Sequence, residues 1–132
     1  MASIKIKQHD IKDCGAACLA SIGNHYKVNI PIARIRQFAS TDTRGTNVLG
    51  IIQGAEKMGF TAKGVKGGVD ALDKIPLPAI AHVVVKEQLH HYIVIYKVEK
   101  NTITAMDPAY GKLEKYTFEE FQKIWTGVLV LF

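Results

Sequence analysis

The sequence lacks the features that define several broad classes of protein. Its first residues, MASIKIKQHD, contain no apolar core of a secretory signal peptide. No apolar run reaches the roughly 20 residues that a membrane-spanning helix needs. Zinc-finger spacing, aromatic RNA-binding motifs, internal repeats and low-complexity segments are also missing. The chain as given is therefore expected to be a soluble globular protein that does not bind nucleic acid.

Cysteine is scarce, since Cys14 and Cys18 are the only two in the chain. Four residues apart, they would lie on one face of a helix, where a disulfide between them would be strained. Free thiols of this kind are typical of a reducing compartment. The cysteines therefore predict a cytoplasmic setting.

Length and composition indicate one compact domain. With 132 residues, 48% of them hydrophobic, the chain can form one core but not two ordinary domains. The net charge is +5, but the basic residues are scattered along the chain, as expected for solvated surface. The chain ends on GVLVLF, which is typical of a core strand. We therefore expect residues 1–132 to be a single domain taken from a longer polypeptide.

Helical patterns dominate the first half of the chain. Asp13 is a suitable N-cap for a largely apolar helix that includes both cysteines. Pro31 opens a short second helix, PIARIRQFA. Thr46 is suited to cap a third helix, NVLGIIQGAEKMG.

Strand patterns follow from Phe60 onward. The predicted strands are FTAKGV, PLPAIAHVVV, HYIVIYKVE, TITAMD and VLVLF, with a short helix or turn at VDALDKI and a last helix at YTFEEFQKIW. Thr117 and Glu120 have the spacing of a capping box for that last helix. Helices followed by strands predict an α+β fold, with N-terminal helices packed on a C-terminal antiparallel sheet.

A hairpin in this sheet brings a histidine and a carboxylate together. If Lys100 and Asn101 form the turn, the strand that starts at His91 pairs with the strand that ends at Asp107. In an antiparallel pair, the start of one strand lies near the end of the other. The pattern therefore predicts that His91 and Asp107 lie at the same end of the hairpin, where the carboxylate can hold the imidazole ring.

Cys14 is a candidate nucleophile at the first turn of the first helix. The partial positive charge of a helix N-terminus and a protonated histidine both favour a thiolate over a thiol. With His91 as base and Asp107 to orient it, Cys14 would complete a triad for acyl transfer. The side-chain amide of Gln8 and the backbone N–H of Cys14 would then stabilise the oxyanion.

Each of these residues also has an ordinary structural explanation. Cys14 suits a buried small-residue position, His91 a structural histidine and Asp107 the start of a turn. A zinc site formed by Cys14, Cys18 and a histidine is a further alternative, although no fourth ligand is evident. The residue types and their spacing leave these alternatives open.

The whole chain resembles the peptidase C39 family, the papain-like domain at the N-terminus of bacteriocin-processing ABC transporters. The matching residues are Gln8, the DCG of Asp13-Cys14-Gly15, the HYIV of His91 to Val94, and the DP of Asp107-Pro108. The stretch TNVLGIIQGAEKMGF is similar to the family's third helix, and WTGVLVLF to its closing strand. The resemblance covers nearly the whole chain, and its strength lies in the order and spacing of these motifs.

The resemblance implies a papain-like cysteine peptidase with Cys14 as nucleophile, His91 as general base and acid, Asp107 as orienting group and Gln8 as oxyanion-hole donor. Members of this family cleave leader peptides after a double glycine and so release mature peptides for export. The implied partners are a precursor peptide and the transmembrane and ATP-binding parts of an ABC transporter, at the cytoplasmic face of a bacterial membrane. Cleavage itself would need neither a metal nor a nucleotide cofactor.

Two other functions remain open at this stage. Degenerate domains of the same family lack the cysteine and only hold substrate near the transporter, and the presence of Cys14 argues against that role. Another papain-like thiol enzyme, such as an acyltransferase or a deamidase, would share the fold and the triad. Within the site, His90 is expected on the opposite face of the strand from His91, and Cys18 one helical turn closer to the core. We therefore prefer His91 and Cys14 as the reactive pair.

Overall fold

A computed structural model describes residues 14–39, 47–85 and 89–132. These residues form four α-helices, one 3-10 helix and six strands. The helices are Cys14–His25 (α1), Ile32–Phe38 (α2), Val48–Lys57 (α3) and Phe118–Ile124 (α4), and the 3-10 helix is Val69–Lys74. The strands are Lys63–Lys66 (β1), Ala79–Val85 (β2), Leu89–Glu99 (β3), Thr102–Asp107 (β4), Lys112–Thr117 (β5) and Trp125–Leu131 (β6).

The six strands form one sheet in the order β1-β6-β2-β3-β4-β5. Every neighbouring pair is antiparallel, and three helices come before the sheet in the chain. This arrangement confirms the predicted α+β class. Lys100 and Asn101 form the turn between β3 and β4, as predicted. Asn101 has a φ of 79°, a left-handed conformation that asparagine tolerates better than most residues.

The two faces of the sheet pack against different helices. The first core joins α1, α2 and α3 to Tyr92 and Val94 of β3. The second core places Leu72 of the 3-10 helix and Phe121 of α4 with Ile93. Successive side chains of a strand point to opposite faces, so the alternation along β3 supplies both cores.

A buried polar contact fixes α1 along β3. The hydroxyl groups of Ser21 and Tyr96 are hydrogen-bonded inside the first core. Cys14, at the other end of α1, interacts with His91 and Tyr92 near the start of β3. The helix therefore runs in the same direction as β3, and the Ser21–Tyr96 contact helps to set the position of Cys14.

Strand β5 was not predicted from the sequence. Residues Lys112–Thr117 pair with β4 along its whole length. Tyr116 was predicted to begin the last helix, but it belongs to this strand. The last helix is correspondingly shorter, and Trp125, predicted at its end, begins β6. Only Glu114 and Tyr116 of β5 are even half-buried, so the strand lacks the run of alternating apolar residues that reveals a strand in a sequence.

Helix caps agree in part with the prediction. Thr117 and Glu120 form the expected capping box, because each side chain bonds the other residue's backbone N–H. The N-cap of α3 is Asn47, whose side chain accepts a hydrogen bond from the Gly50 N–H at 2.7 Å. The predicted cap was Thr46, one residue earlier. Thr46 and Asp13, the predicted cap of α1, lie outside the described residues.

In the described part of the chain, no helix combines the length and the apolar character needed to cross a membrane.

We predict that Tyr96→Phe will lower the free energy of unfolding by about 1 kcal/mol, the typical contribution of one hydrogen bond. The change removes the hydroxyl that contacts Ser21 and leaves the buried ring in place. Urea denaturation of the parent and the variant measures the difference. Tyr110→Phe is the matched control, because Tyr110 is 54% exposed and should change the stability much less. Equal effects of the two substitutions would contradict the prediction.

Candidate active site

His91 and Asp107 are in direct contact at one end of the β3–β4 hairpin. His91 Nε2 lies 2.6 Å from Asp107 Oδ1, and both side chains are largely buried. The ladder pairs Val94 with Met106, which brings the start of β3 to the end of β4. The geometry predicted from the hairpin pattern is therefore confirmed.

The turn after β4 holds the Asp107 carboxylate in place. Asp107 Oδ1 also accepts a hydrogen bond from the Ala109 N–H at 2.9 Å. The backbone N–H groups of Tyr110 and Gly111 in turn donate to the Asp107 carbonyl oxygen. Gly111 has a φ of 63°, a conformation that glycine adopts without steric cost. The turn thus presents the carboxylate to His91 in one orientation.

Cys14 lies at the first turn of α1 and reaches the same imidazole ring. Its side chain makes a hydrogen-bond interaction with His91. Because His91 Nε2 is bonded to Asp107, the ring nitrogen left to face the thiol is Nδ1. Cys14 and His91 each expose 7% of their surface. The three side chains therefore form a nearly covered thiol–imidazole–carboxylate series.

The electrostatics of the site favour a charged imidazolium. Burial alone would lower the pKa of His91, but the hydrogen bonds to Asp107 and Cys14 and their negative charges raise it to about 9. Burial alone would raise the pKa of Asp107, but the contact with His91 and the Ala109 N–H lower it below its ordinary value. At neutral pH the site thus holds a positive ring beside an ionised carboxylate.

Cys18 is unsuited to act as the nucleophile. It is fully buried in the first core, one helical turn after Cys14. Burial, together with the charges of Cys14 and Asp107, raises its thiol pKa well above the ordinary value. A thiol kept protonated is a poor nucleophile. This agrees with the structural role expected for Cys18.

His90 points away from the site. Its Nδ1 lies 3.0 Å from Nε2 of His82, on the opposite side of the strand from Asp107. The preference for His91 over His90 therefore agrees with the observed contacts. Gln8, the predicted oxyanion-hole donor, lies outside the described residues, so its place in the site stays a prediction. Among residues 14–39, 47–85 and 89–132, no three metal-binding side chains are grouped to hold an ion.

Sequence reasoning missed one group beside the site. His82 and Thr126 were not selected, yet they are hydrogen-bonded to each other across two strands. To find this pair, the pairing of β2 with β6, which is distant in sequence, would have had to be known. The β2–β3 register follows from a hairpin pattern, but the β2–β6 pairing does not.

Comparison with known proteins assigns the chain to a family. A family model described as the peptidase C39 family matches residues 3–132. The Lactococcus lactis protein LagD, a lactococcin-G-processing and transport ATP-binding protein, is 46% identical over 127 residues, which cover 95% of this chain. The Leuconostoc mesenteroides protein MesD, a mesentericin-Y105 transport/processing ATP-binding protein, is 37% identical over 129 residues. The chain spans 18% of the length of each of these two relatives.

Two of the solved structures with the same fold are a peptidase domain and a protease. The peptidase domain of Streptococcus ComA, a bi-functional ABC transporter of a quorum-sensing pathway, matches with a TM-score of 0.93 and 34% identity over 98% of this chain and 97% of that one. A double-glycine motif protease from an AMS/PCAT transporter, solved with its leader peptide, matches with a TM-score of 0.89 and 28% identity over 98% and 90%.

We predict that the imidazole of His91 will titrate with a midpoint near 9 when followed by NMR. Asp107→Asn should lower this midpoint more than Cys14→Ala does, because the hydrogen bond to Asp107 contributes more than the one to Cys14. A midpoint near the ordinary histidine value of about 6.5 would show that the ion pair does not form.

Proposed function

Because the chain belongs to the peptidase C39 family, we propose that it is a cysteine peptidase that cleaves precursor peptides after a double-glycine leader. The contact that supports this most directly is the series Cys14–His91–Asp107, which supplies a thiol, a proton carrier and an orienting carboxylate. The substrate class comes from the relatives, one of which was solved with a leader peptide.

The proposed reaction begins with the Cys14 thiolate and the His91 imidazolium. The thiolate attacks the carbonyl carbon of the second glycine, and the carbonyl oxygen becomes an oxyanion. The Gln8 amide and the Cys14 backbone N–H stabilise this negative charge. His91 Nδ1 then gives its proton to the leaving nitrogen, the C–N bond breaks, and the mature peptide departs as an amine. The leader remains on Cys14 as a thioester.

The second half of the reaction regenerates the thiol. Neutral His91 takes a proton from a water molecule as the water attacks the thioester carbonyl. The C–S bond breaks, the leader leaves with a free carboxylate, and the thiolate–imidazolium pair is restored. Asp107 keeps its hydrogen bond to Nε2 throughout, so the ring presents Nδ1 first to the leaving group and then to water.

The preference for glycine follows from how little of the site is open. Cys14 and His91 are each 93% covered, so a substrate carbonyl must come close to the protein to meet the thiol. Glycines without side chains permit such an approach, whereas a bulky residue beside the scissile bond would collide with the walls. Affinity would come from parts of the leader further from the cleavage point.

The relatives also suggest the cellular setting. LagD is named as both a processing and a transport ATP-binding protein, and this chain covers 18% of it. We infer that residues 1–132 form the peptidase part of a similar ABC exporter, which would couple cleavage to export. The peptidase would act at the cytoplasmic face of a bacterial membrane, where precursors arrive before transport.

The proposal predicts that the parent protein will cleave a double-glycine precursor after the second glycine and that Cys14→Ala will not. Mass spectrometry of the products identifies the bond that is cut. Cys18→Ala is the matched control, because it removes the other thiol and should leave cleavage intact. Gln8→Ala should lower kcat by about 100- to 1,000-fold, the usual effect of losing one oxyanion donor.

Three results would redirect the assignment. If the parent and Cys14→Ala both bind the precursor but neither cleaves it, the domain is a docking module. If the peptide is transferred to an added amine or a glutamine is deamidated, the protein is another papain-like thiol enzyme. Cleavage by Cys14→Ala at the parental rate would exclude Cys14 as the nucleophile.

The cleavage rate should fall as the pH rises through about 9. His91 has to be protonated to donate to the leaving nitrogen, and its raised pKa keeps the ring charged up to that pH. A kcat/KM profile between pH 6 and 10 tests this, with circular dichroism at each pH to confirm folding. A basic limb near 6.5 would contradict the proposed ion pair.

A further inference from the structure

Three polar side chains from neighbouring strands form a hydrogen-bonded chain beside the candidate site. Thr126 of β6 lies 2.9 Å from His82 of β2, measured from Oγ1 to Nδ1. His82 Nε2 lies 3.0 Å from Nδ1 of His90 in β3. The two imidazole rings are nearly parallel, with an interplanar angle of 24° and centroids 5.0 Å apart. These hydrogen bonds therefore link the three neighbouring strands β6, β2 and β3.

The direction of each hydrogen bond follows from the single proton of Thr126. The Thr126 hydroxyl donates to the backbone carbonyl of His82 at 3.1 Å, so its oxygen has to accept from His82 Nδ1. Neutral His82 then has no proton on Nε2, and His90 has to donate from Nδ1. Burial, and then the charge of His90, lower the pKa of His82, which agrees with a neutral ring.

The hydrogen bonds of Thr126, His82 and His90 cross the β2–β3 pair next to His91. In the β2–β3 ladder, Val83 pairs with His91, Val84 with His90, and His82 with Tyr92. The hydrogen bond from His90 to His82 therefore runs diagonally between β3 and β2. It passes over the backbone of His91, on the face of the sheet opposite to the His91 side chain. The His82 ring also contacts Tyr92, with centroids 5.2 Å apart, and Tyr92 belongs to the same core as Cys14.

We propose that Thr126, His82 and His90 are positioning residues, which hold the start of β3 so that the His91 ring meets Cys14 and Asp107 together. This role rests on the proposed peptidase function. His91 has to direct one ring nitrogen at each partner, so a small shift of its backbone disturbs both contacts. A misplacement of about 1 Å in such a site costs on the order of 100-fold in rate.

Thr126→Val tests the role, because valine keeps the shape of threonine and removes the hydroxyl. We expect kcat for a double-glycine precursor to fall about tenfold, with KM changed less than about twofold, since the shift of His91 would act on the chemical step. Thr126→Ser should restore most of kcat because it returns the hydroxyl. Thr102→Val, at the far end of the β3–β4 hairpin, is the matched control and should behave as the parent does.

An NMR measurement tests the directions of these hydrogen bonds without any substrate. Nitrogen-15 shifts of the imidazole rings should show His82 and His90 both protonated on Nδ1 at pH 7.5. In Thr126→Val, His82 should no longer be protonated mainly on Nδ1, because the hydroxyl that accepts this hydrogen bond is gone. Protonation of His82 on Nε2 in the parent protein would contradict the proposed hydrogen bonds from His82 to Thr126 and from His90 to His82.

The two assays separate the possible failures. If the parent cleaves no double-glycine peptide, the proposed function fails, and the positioning role fails with it. If the parent cleaves and Thr126→Val has the same kcat, only the positioning role is wrong. A loss of kcat that Thr126→Ser does not restore, accompanied by a lower urea midpoint, would show that Thr126 acts only on stability.

Discussion

The hydrogen bond between His91 and Asp107 is the contact on which the site depends. It joins the start of β3 to the end of β4, fixes which imidazole nitrogen faces the thiol, and supports a positive charge on the ring. Two constraints converge on it from outside the pair. The turn after β4 holds the carboxylate through the Ala109 N–H, and the position of α1 brings Cys14 to the other side of the ring. A change in either constraint would separate groups that act only together.

The charges of His91 and Asp107 balance one another. One imidazolium faces one carboxylate, so this pair carries no net charge although the whole chain has a net charge of +5. Burial on this scale would be costly for any one of these ions alone. Each ion is tolerated because its neighbour has the opposite sign, which explains why the raised pKa of His91 and the lowered pKa of Asp107 arise from the same contact.

Sequence reasoning succeeded where local pattern and chain direction decide the structure. The meeting of His91 with Asp107 needs only a short turn between two apolar strands, so it could be predicted. The strand β5 could not, because its two half-buried side chains are a glutamate and a tyrosine, while its one aliphatic residue, Leu113, is exposed. The neighbours of His82 depend on β6, which lies more than forty residues further along the chain. Such a pairing is set by the packing of the whole sheet and leaves no trace in a local pattern. The place of Gln8 stays a prediction for a different reason, since it lies outside the described residues.

The position of β6 inside the sheet has a consequence for the order of folding during synthesis. Among the described strands this one comes last in sequence, yet it lies between β1 and β2. Strand β1 pairs with β6 across more than sixty residues of sequence, so a ribosome has to finish nearly the whole segment before β1 can join the sheet. The hydroxyl of Thr126 arrives with the same strand. A nascent chain that already carries Cys14, His91 and Asp107 would therefore still lack β6 and β1 on one side of its sheet until Leu131 has been added.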